Sequence, residues 1–239
     1  MKIPTFSATM AGLVTMSSVL LQATSVEGAN AFNESLTNSN NFVIANNFGP
    51  SGSPYTTSQV HTGPDGASLT IGKNSQSTSF TGGELIYTPD HLGYGTYSVD
   101  MMGSDIVGQV TGFYLISTAD GSEIDVELTG LNSTRAWLNV WHDHQQSPVP
   151  IDLDFDVSKA WHRYEINWQQ NSLTWSIDGK VVLTRTDLLL KAPAQANYKL
   201  ALNSWVNIQK ETGPGWAGVF KYPTGQIPTS RFRNLQFTP

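Results

Sequence analysis

The stretch GSEIDVELTG, residues 121–130, carries the pattern from which the fold of this chain can be predicted. Acids occupy every second position: Glu123, Asp125 and Glu127. Aliphatic residues alternate with them: Ile124, Val126 and Leu128. Because alternate side chains of a β-strand point to the same face, the stretch predicts a strand with three carboxylates on one face and three aliphatic side chains on the other.

Three acids on one strand face are unfavourable, because like charges repel each other and acids are depleted from strands. A chain tolerates such a face when the acids have a function. Hydrolysis of a glycosidic bond needs two carboxylates in different protonation states, and a third can help to separate their pKa values. The pattern therefore favours a catalytic site, with a solvated strand edge and a calcium site as the alternatives.

Outward from this stretch, short alternating segments recur between turn signals. They predict strands at 67–72, 83–88, 94–102, 108–117, 122–129, 134–142, 161–169, 172–177, 180–185, 197–206 and 230–238. Asp178-Gly179 predicts a tight hairpin. Residues 33–66, rich in Asn, Ser, Gly and Pro, predict an irregular segment with short edge strands, and residues 186–191 could form one helical turn. Many short strands joined by turns indicate a sandwich or a barrel.

The N-terminus has the features of a secretory signal peptide. Lys2 supplies the positive start, residues 8–21 form a mostly apolar run, and the small residues Ala29 and Ala31 precede Phe32. We expect residues 1–31 to be this leader and residues 32–239 to form one catalytic β-sandwich domain of a secreted protein. The alternative is an ordinary N-terminal helix. The run is too short and too rich in Ser and Thr to span a membrane, so no membrane anchor is expected.

The composition limits the function classes. The chain has no Cys, so the core rather than disulfides must hold an exported domain. Only 13% of the residues are charged and the net charge is −6, which argues against nucleic acid and suits a neutral polymer. The 7 Trp and 8 Tyr could stack on sugar rings or fill the core. We expect a monomer.

Two predicted strands carry Asn and Trp on one face and mainly aliphatic residues on the other. In 136–141 the polar face holds Trp137, Asn139 and Trp141, and in 200–205 it holds Ala201, Asn203 and Trp205. An amide that bonds hydroxyls beside an indole that stacks on a ring is what a sugar cleft needs. The alternative is that these indoles fill the space between two sheets.

These residues resemble a known family. EIDVE at 123–127 matches the E-x-D-x-E signature of glycoside hydrolase family 16. The segments GGEL (82–85), GYGTYSV (93–99), HRYEINWQQNSLTWSIDG (162–179) and LNSW (202–205) are similar to those of its lichenases. The resemblance implies a jelly-roll sandwich of two antiparallel sheets, concanavalin A-like, with a glycan cleft on one concave face. It implies a retaining endo-β-glucanase that cleaves β-1,3/1,4-linked glucan. The alternatives are a glucan transglycosylase of the same fold and a noncatalytic lectin-like domain.

The resemblance also implies roles for individual residues. Glu123 would be the nucleophile, Glu127 the acid/base, and Asp125 a helper between them. The substrate-binding residues would be Glu84, Tyr114, Asn139, Trp141, Asn203 and Trp205. No cofactor and no metal are expected.

Several positions depart from the lichenase pattern. Gly121 and Ser122 replace a Trp and an Asp, Ile86 replaces a cleft Arg, and the disulfide is absent. Arg233 stands where these enzymes have an Asp that helps to bind calcium. Two other groups could suggest a metal, namely His142 with His144 and the alternating acids at 152–156. Polar loops are the favoured interpretation of both.

Overall fold

The acid-bearing strand lies in the middle of one of two sheets packed face to face. The computed structural model describes residues 29–73, 79–88, 92–188, 190–209 and 215–239. The predicted signal peptide falls largely on residues 1–28, outside the described residues, and the first described strand begins at Phe32. No helix among the described residues is long and apolar enough to cross a membrane.

The strands, in chain order, are β1 (Phe32–Glu34), β2 (Phe42–Ile44), β3 (Val60–Gly63), β4 (Gly66–Thr70), β5 (Gly72–Lys73), β6 (Phe80–Thr81), β7 (Gly83–Tyr87), β8 (Gly95–Met102), β9 (Gln109–Ser117), β10 (Glu123–Thr129), β11 (Arg135–His142), β12 (Gln145–Gln146), β13 (Val149–Asp152), β14 (His162–Gln169), β15 (Ser172–Ile177), β16 (Lys180–Arg185), β17 (Tyr198–Val206) and β18 (Thr229–Thr238). The helical segments are α1 (Pro193–Ala196) and two 3₁₀ turns, Pro50–Gly52 and Thr57–Gln59.

Most of the described strands form two antiparallel sheets of eight strands each. The cleft sheet has the order β12-β11-β10-β9-β17-β7-β2, with β13 also paired to β11. The back sheet has the order β16-β15-β14-β8-β18-β4-β3, with β1 also paired to β18. β5 and β6 form a separate small ribbon. This is the two-sheet antiparallel sandwich that the alternation and the family resemblance predict, and not a barrel.

The core lies between the two sheets, and the period-2 pattern decides which side chains enter it. Its largest fully buried side chains include Trp175, Tyr97, Tyr164, Phe113, Phe232 and Phe237. In β10 the aliphatic residues point into this core and are at most 1% exposed. The acids therefore point away from the core, to the outer face of the cleft sheet.

Tight turns fix the register of two hairpins. Asp178 and Gly179 both have positive φ (50° and 74°), which is the two-residue turn predicted between β15 and β16. Asp143 and His144 make a second such turn between β11 and β12, with φ of 50° and 62°. Of the two histidines considered for a metal, His144 thus lies in the hairpin turn and His142 directly precedes the turn. The helical turn considered for residues 186–191 is not found in their described part, and α1 follows it instead.

Candidate active site

β10 lies between β9 and β11, so its outer face is the floor of a cleft. Glu123 pairs with Trp141, Asp125 with Asn139, and Glu127 with Trp137 across the β10–β11 ladder. Asp125 is buried at 3% exposure, whereas Glu123 and Glu127 are partly exposed. The middle acid is therefore enclosed by protein, and the outer two can reach a molecule in the cleft.

A cavity of about 350 Å³ lies over the three acids. Its walls come from β7, β9, β17 and the segment between β2 and β3, and its lining residues are Asn47, Phe48, Pro50, Tyr55, Glu84, Gly112, Tyr114, Ile116, Glu123, Asp125, Glu127, Asn203 and Trp205. Of the predicted substrate-binding residues, Glu84, Tyr114, Asn203 and Trp205 line this cavity with the acids. Asn139 and Trp141 do not line it.

Asp125 is held by hydrogen bonds on both sides. Asn139 donates from Nδ2 to Oδ2 of Asp125 over 3.1 Å, and Asp125 is hydrogen-bonded to the Glu123 carboxyl group. Burial, together with the charges of Glu123 and Glu127, raises the pKa of Asp125 well above its usual range. This shift favours the protonated form of Asp125, which can donate its proton to the Glu123 carboxylate.

The two outer acids have different surroundings. Burial raises the pKa of Glu123, while the hydrogen bond from Asp125 opposes that shift and favours the ionised form. Burial and then the charge of Glu123 raise the pKa of Glu127 to about 8. Glu127 therefore holds a proton at neutral pH. Two neighbouring carboxyl groups with separated proton affinities can act as base and acid on the same substrate.

The wall opposite β11 holds a second polar group. Tyr114 donates a hydrogen bond to Oε1 of Glu84. Burial raises the pKa of Glu84, and the Tyr114 hydrogen bond opposes that shift. Asn203 donates from Nδ2 to the Tyr55 hydroxyl over 3.0 Å, while its Oδ1 is buried and has no hydrogen-bond partner among the described residues.

Gly112 makes room for the Asn203 side chain. The two residues are paired in the β9–β17 ladder, and a Cβ atom at position 112 would lie 2.4 Å from Oδ1 of Asn203. Such a distance is a clash, so a larger residue would displace the amide. The glycine thus determines the position of an unpaired acceptor at the cleft wall.

The predicted tryptophans occupy different positions. Trp205 is only 6% exposed and packs on Trp216, with ring centroids 5.6 Å apart and planes 33° from parallel. It belongs to a small apolar cluster with Tyr55, Val110 and Ala217, yet its edge lines the cavity. Trp141 is partly exposed and lies beside Glu123 in the adjacent strand. Trp205 therefore serves packing as well as the cleft.

Sequence reasoning missed the contribution of the segment between β2 and β3. Tyr55 hydrogen-bonds a residue 148 positions away, and Phe48 lines the cavity with 90% of its surface exposed. Both lie in the stretch interpreted as irregular. The available signal was the presence of these aromatic residues in a region otherwise rich in Asn, Gly and Pro.

The other positions considered for metals have protein partners. Arg233 lies 3.3 Å from Oδ2 of Asp100, and its guanidinium stacks over the Trp161 ring at 4.4 Å. Asp152 pairs with Arg135 at 2.6 Å, and Asp156 accepts hydrogen bonds from Ser158. Among the described residues, no group of three or more His, Asp and Glu side chains is arranged to hold a metal ion.

Fold and site together define a class: antiparallel β-sandwich proteins with a cleft on one sheet and paired carboxylates in its floor. Residues 48–221 match the family model described as Glycosyl hydrolases family 16. Since this match covers most of the sequence, the chain belongs to that family. The family assignment made from the acid motif is thereby confirmed.

Known relatives agree with this assignment. The chain is 31% identical over 160 residues to a beta-glucanase of Brevibacillus brevis, covering 64% of this chain and 59% of that protein. It is 33% identical over 118 residues to a beta-glucanase of Bacillus subtilis, covering 47% of each. The chain thus spans about half the length of the curated relatives that it matches.

A solved structure shows the same fold. The Bacillus licheniformis beta-glucanase superimposes with a TM-score of 0.77 at 22% identity, covering 88% of this chain and 99% of that one. The predicted jelly-roll sandwich is therefore confirmed.

Proposed function

We propose that this protein is a secreted retaining endo-β-glucanase that hydrolyses β-1,3/1,4-linked glucans by double displacement. The observation that carries the proposal is the outer face of β10. There a hydrogen bond from Asp125 favours an ionised Glu123, while burial keeps Glu127 protonated. These are the protonation states that a nucleophile and a general acid need at the same time.

In the first step, a Glu123 carboxylate oxygen attacks the anomeric carbon. Glu127 gives its proton to the glycosidic oxygen, the bond between that oxygen and the anomeric carbon breaks, and the shortened chain leaves as an alcohol. The sugar remains bound to Glu123 as an ester of inverted configuration. Asp125 stabilises the charge on Glu123 before the attack by its hydrogen bond.

In the second step, Glu127, now ionised, takes a proton from water. The water oxygen attacks the anomeric carbon, the ester bond to Glu123 breaks, and a sugar of the original β configuration is released. Four residues of strand separate the two Cα atoms by roughly 13 Å. Because each side chain reaches about 4 Å, the carboxyl groups can approach to about 5 Å, the spacing of retaining enzymes.

The cleft supports a glucan as the substrate. Neutral sugar rings need hydrogen-bonding groups and aromatic faces, and Glu84, Asn203 and Trp205 provide them around the acids. The relatives named above are beta-glucanases. Ile86, Gly121 and Ser122 differ from the lichenase pattern, so the linkage preference is the first property to measure.

Product analysis tests the proposal. Purified protein is incubated with barley β-glucan, laminarin, xyloglucan and agarose, and the products are followed by chromatography and proton NMR. Hydrolysis of the mixed-linkage glucan with first release of the β-anomer is expected. Release of the α-anomer would refute the double displacement, and transfer products without net hydrolysis would indicate a transglycosylase. Binding without cleavage would indicate a lectin.

We also propose that the protein is exported, and that it acts as a monomer. Export is supported by the signal-like sequence of residues 1–31. It is also consistent with the start of β1 at Phe32, directly after the expected cleavage site. N-terminal sequencing of protein from the culture medium should begin near Phe32, and material starting at Met1 would contradict export with cleavage. Light scattering measures the oligomeric state.

A further inference from the structure

A series of hydrogen bonds leads from Asp125 away from the cleft to the opposite sheet. Asn139 donates to Asp125 at 3.1 Å, and the backbone N–H of Ser147 donates to Oδ1 of Asn139 at 3.0 Å. Nη1 of Arg185 then donates to Oγ of Ser147 at 2.8 Å. Ser147 lies between β12 and β13 at the edge of the cleft sheet, and Arg185 ends β16 at the edge of the back sheet.

The arginine is itself fixed in place. Its Nε and Nη2 donate to the two carboxylate oxygens of Asp187, each at 2.7 Å. Such a two-point contact sets the plane of the guanidinium as well as its position. The remaining nitrogen, Nη1, is thereby directed at Ser147. The side chain of Arg185 is only 19% exposed, so solvent screens its contact with Ser147 weakly.

The orientation of the Asn139 amide determines whether the Asp125 proton is available to hydrogen-bond Glu123. The Ser147 N–H is shared between two acceptors, the backbone oxygen of Val140 and Oδ1 of Asn139, each at 3.0 Å. Since only the amide oxygen of Asn139 can accept, Oδ1 faces Ser147 and Nδ2 faces Asp125. A protonated Asp125 then has its own proton free for Glu123. If the amide turned over, its oxygen would face Asp125 and compete with Glu123 for that proton.

We propose that Arg185 and Ser147, supported by Asp187, are positioning residues that lock the Asn139 amide and thereby direct the Asp125 proton to Glu123. They touch neither the substrate nor the reacting atoms. The inference rests on the proposed function, since it assigns Glu123 the role of nucleophile. It also gives Asn139, which lies outside the cavity lining, a role that its buried position can fulfil.

The ionisation of Glu123 responds to groups on several elements. The titratable side chains that interact with it are Asp125 and Glu127 on β10, Glu84 on β7, Tyr114 on β9 and Tyr55 before β3. Arg185 contacts none of these directly. Since Arg185→Gln also removes a positive charge that acts through space, a control that removes an equal charge is needed to assign a change in the titration of Glu123 to the contacts through Ser147, Asn139 and Asp125.

The test compares Arg185→Gln with Arg135→Gln as a matched control. Arg135 also forms an ion pair with an aspartate, Asp152, at the edge of the cleft sheet. It lies on β11, the same strand as Asn139. Arg185→Gln should lower kcat about threefold to tenfold with little change in KM, because the acids are misaligned rather than removed. Its acid limb should move to higher pH, since Glu123 loses a hydrogen bond that favours its charge.

A double-mutant cycle locates the effect. Ser147→Ala removes only Oγ and keeps the backbone N–H, and it should reproduce the loss in kcat. The combination with Arg185→Gln should be no worse than either single change, because both break the same contact. Additive losses, or an Arg185→Gln profile equal to that of Arg135→Gln, would overturn the proposal. Melting temperatures show whether each variant is folded.

An assay without substrate separates this inference from the proposed function. The carboxyl carbons of labelled Glu are titrated by NMR in wild-type, Arg185→Gln and Arg135→Gln protein. An upward shift of the Glu123 titration in Arg185→Gln alone supports the positioning role even if no glucan is cleaved. An unchanged titration refutes it even if the wild type is an active glucanase.

Discussion

Replacement of Glu127 by Gln should stabilise the protein at neutral and alkaline pH while it abolishes hydrolysis. Glutamine has the shape of a protonated glutamate but cannot give up a proton. In the folded protein, burial and the charge of Glu123 raise the pKa of Glu127 to about 8 from an ordinary value of 4.5. Folding at neutral pH therefore requires this carboxyl to take up a proton, which costs free energy.

The sign and pH window follow from this upward shift. A carboxyl whose folded-state pKa is raised makes its full contribution to stability below its unfolded pKa, near 4.5, and loses it as the pH rises through the folded value near 8. At pH 7 the proton uptake costs about 3 kcal/mol. This is the difference between pH 7 and the ordinary pKa of 4.5, multiplied by the free energy per pKa unit. Because Glu123 shares the titration and Glu127 is partly exposed, a measured gain of about 1–3 kcal/mol is expected.

Urea unfolding at pH 4 and at pH 8 measures the effect. Glu127→Gln should leave the free energy of unfolding nearly unchanged at pH 4 and raise it at pH 8. For a domain of this size, a gain of that magnitude corresponds to a rise in Tm of about 2–12 °C. Glu165→Gln is the matched control, because Glu165 is also a partly exposed strand glutamate but lies on the outer face of the back sheet.

The stability change of Glu127→Gln at pH 4, compared with that at pH 8, can refute this reasoning. If Glu127→Gln gains the same stability at pH 4 and pH 8, the gain comes from packing and not from proton uptake. If it loses stability at pH 8, the carboxyl is ionised and stabilised in the folded protein, and the assignment of Glu127 as the general acid fails with it.

Three further changes have defined outcomes. Glu123→Ala should abolish hydrolysis, and added azide should yield the α-glycosyl azide by NMR, whereas a β-azide would assign this residue to the other role. Trp205→Phe should weaken glucan binding several-fold in calorimetry, with a nearly unchanged Tm. Trp205→Ala should also lose about 3–5 kcal/mol of stability, because Trp205 packs on Trp216. If both variants bind glucan with unchanged affinity, the indole serves only packing. A chelator should leave the Tm nearly unchanged because Arg233 pairs with Asp100, and a large drop reversed by calcium would contradict this.

The long strands could be predicted from the sequence because each has one face in the core. All eleven predicted segments are strands in the structure, with bounds that differ by at most two residues. β5, β6, β12 and β13 have only two to four residues, too few for alternation to be recognised. The turn at Asp143 and His144 gives a similarly weak signal, since no glycine marks its positive φ angles.

The site could be predicted only as far as it lies within single strands. The alternation in 123–127 places three acids on one face without any knowledge of the fold. The contact between Asn203 and Tyr55 joins residues 148 positions apart, and the contact between Arg185 and Ser147 joins two different sheets. Such pairs depend on which strand edges lie opposite each other, and a single sequence carries no record of that.

β10 tolerates its acids because the two faces of the same strand have opposite effects on stability. Ile124, Val126 and Leu128 are almost fully buried, and each such side chain contributes about 1.5–3 kcal/mol on transfer from water. The three together exceed the roughly 3 kcal/mol that protonation of Glu127 costs at pH 7. Burial of the core face thus offsets the cost of protonating Glu127 within the same strand. Hydrogen bonds from Asn139 and to Glu123 then hold Asp125, the most buried acid, in place. A truncation on the core face of β10 should therefore lower the stability and disturb the acids together, although it touches neither carboxyl group of the reaction.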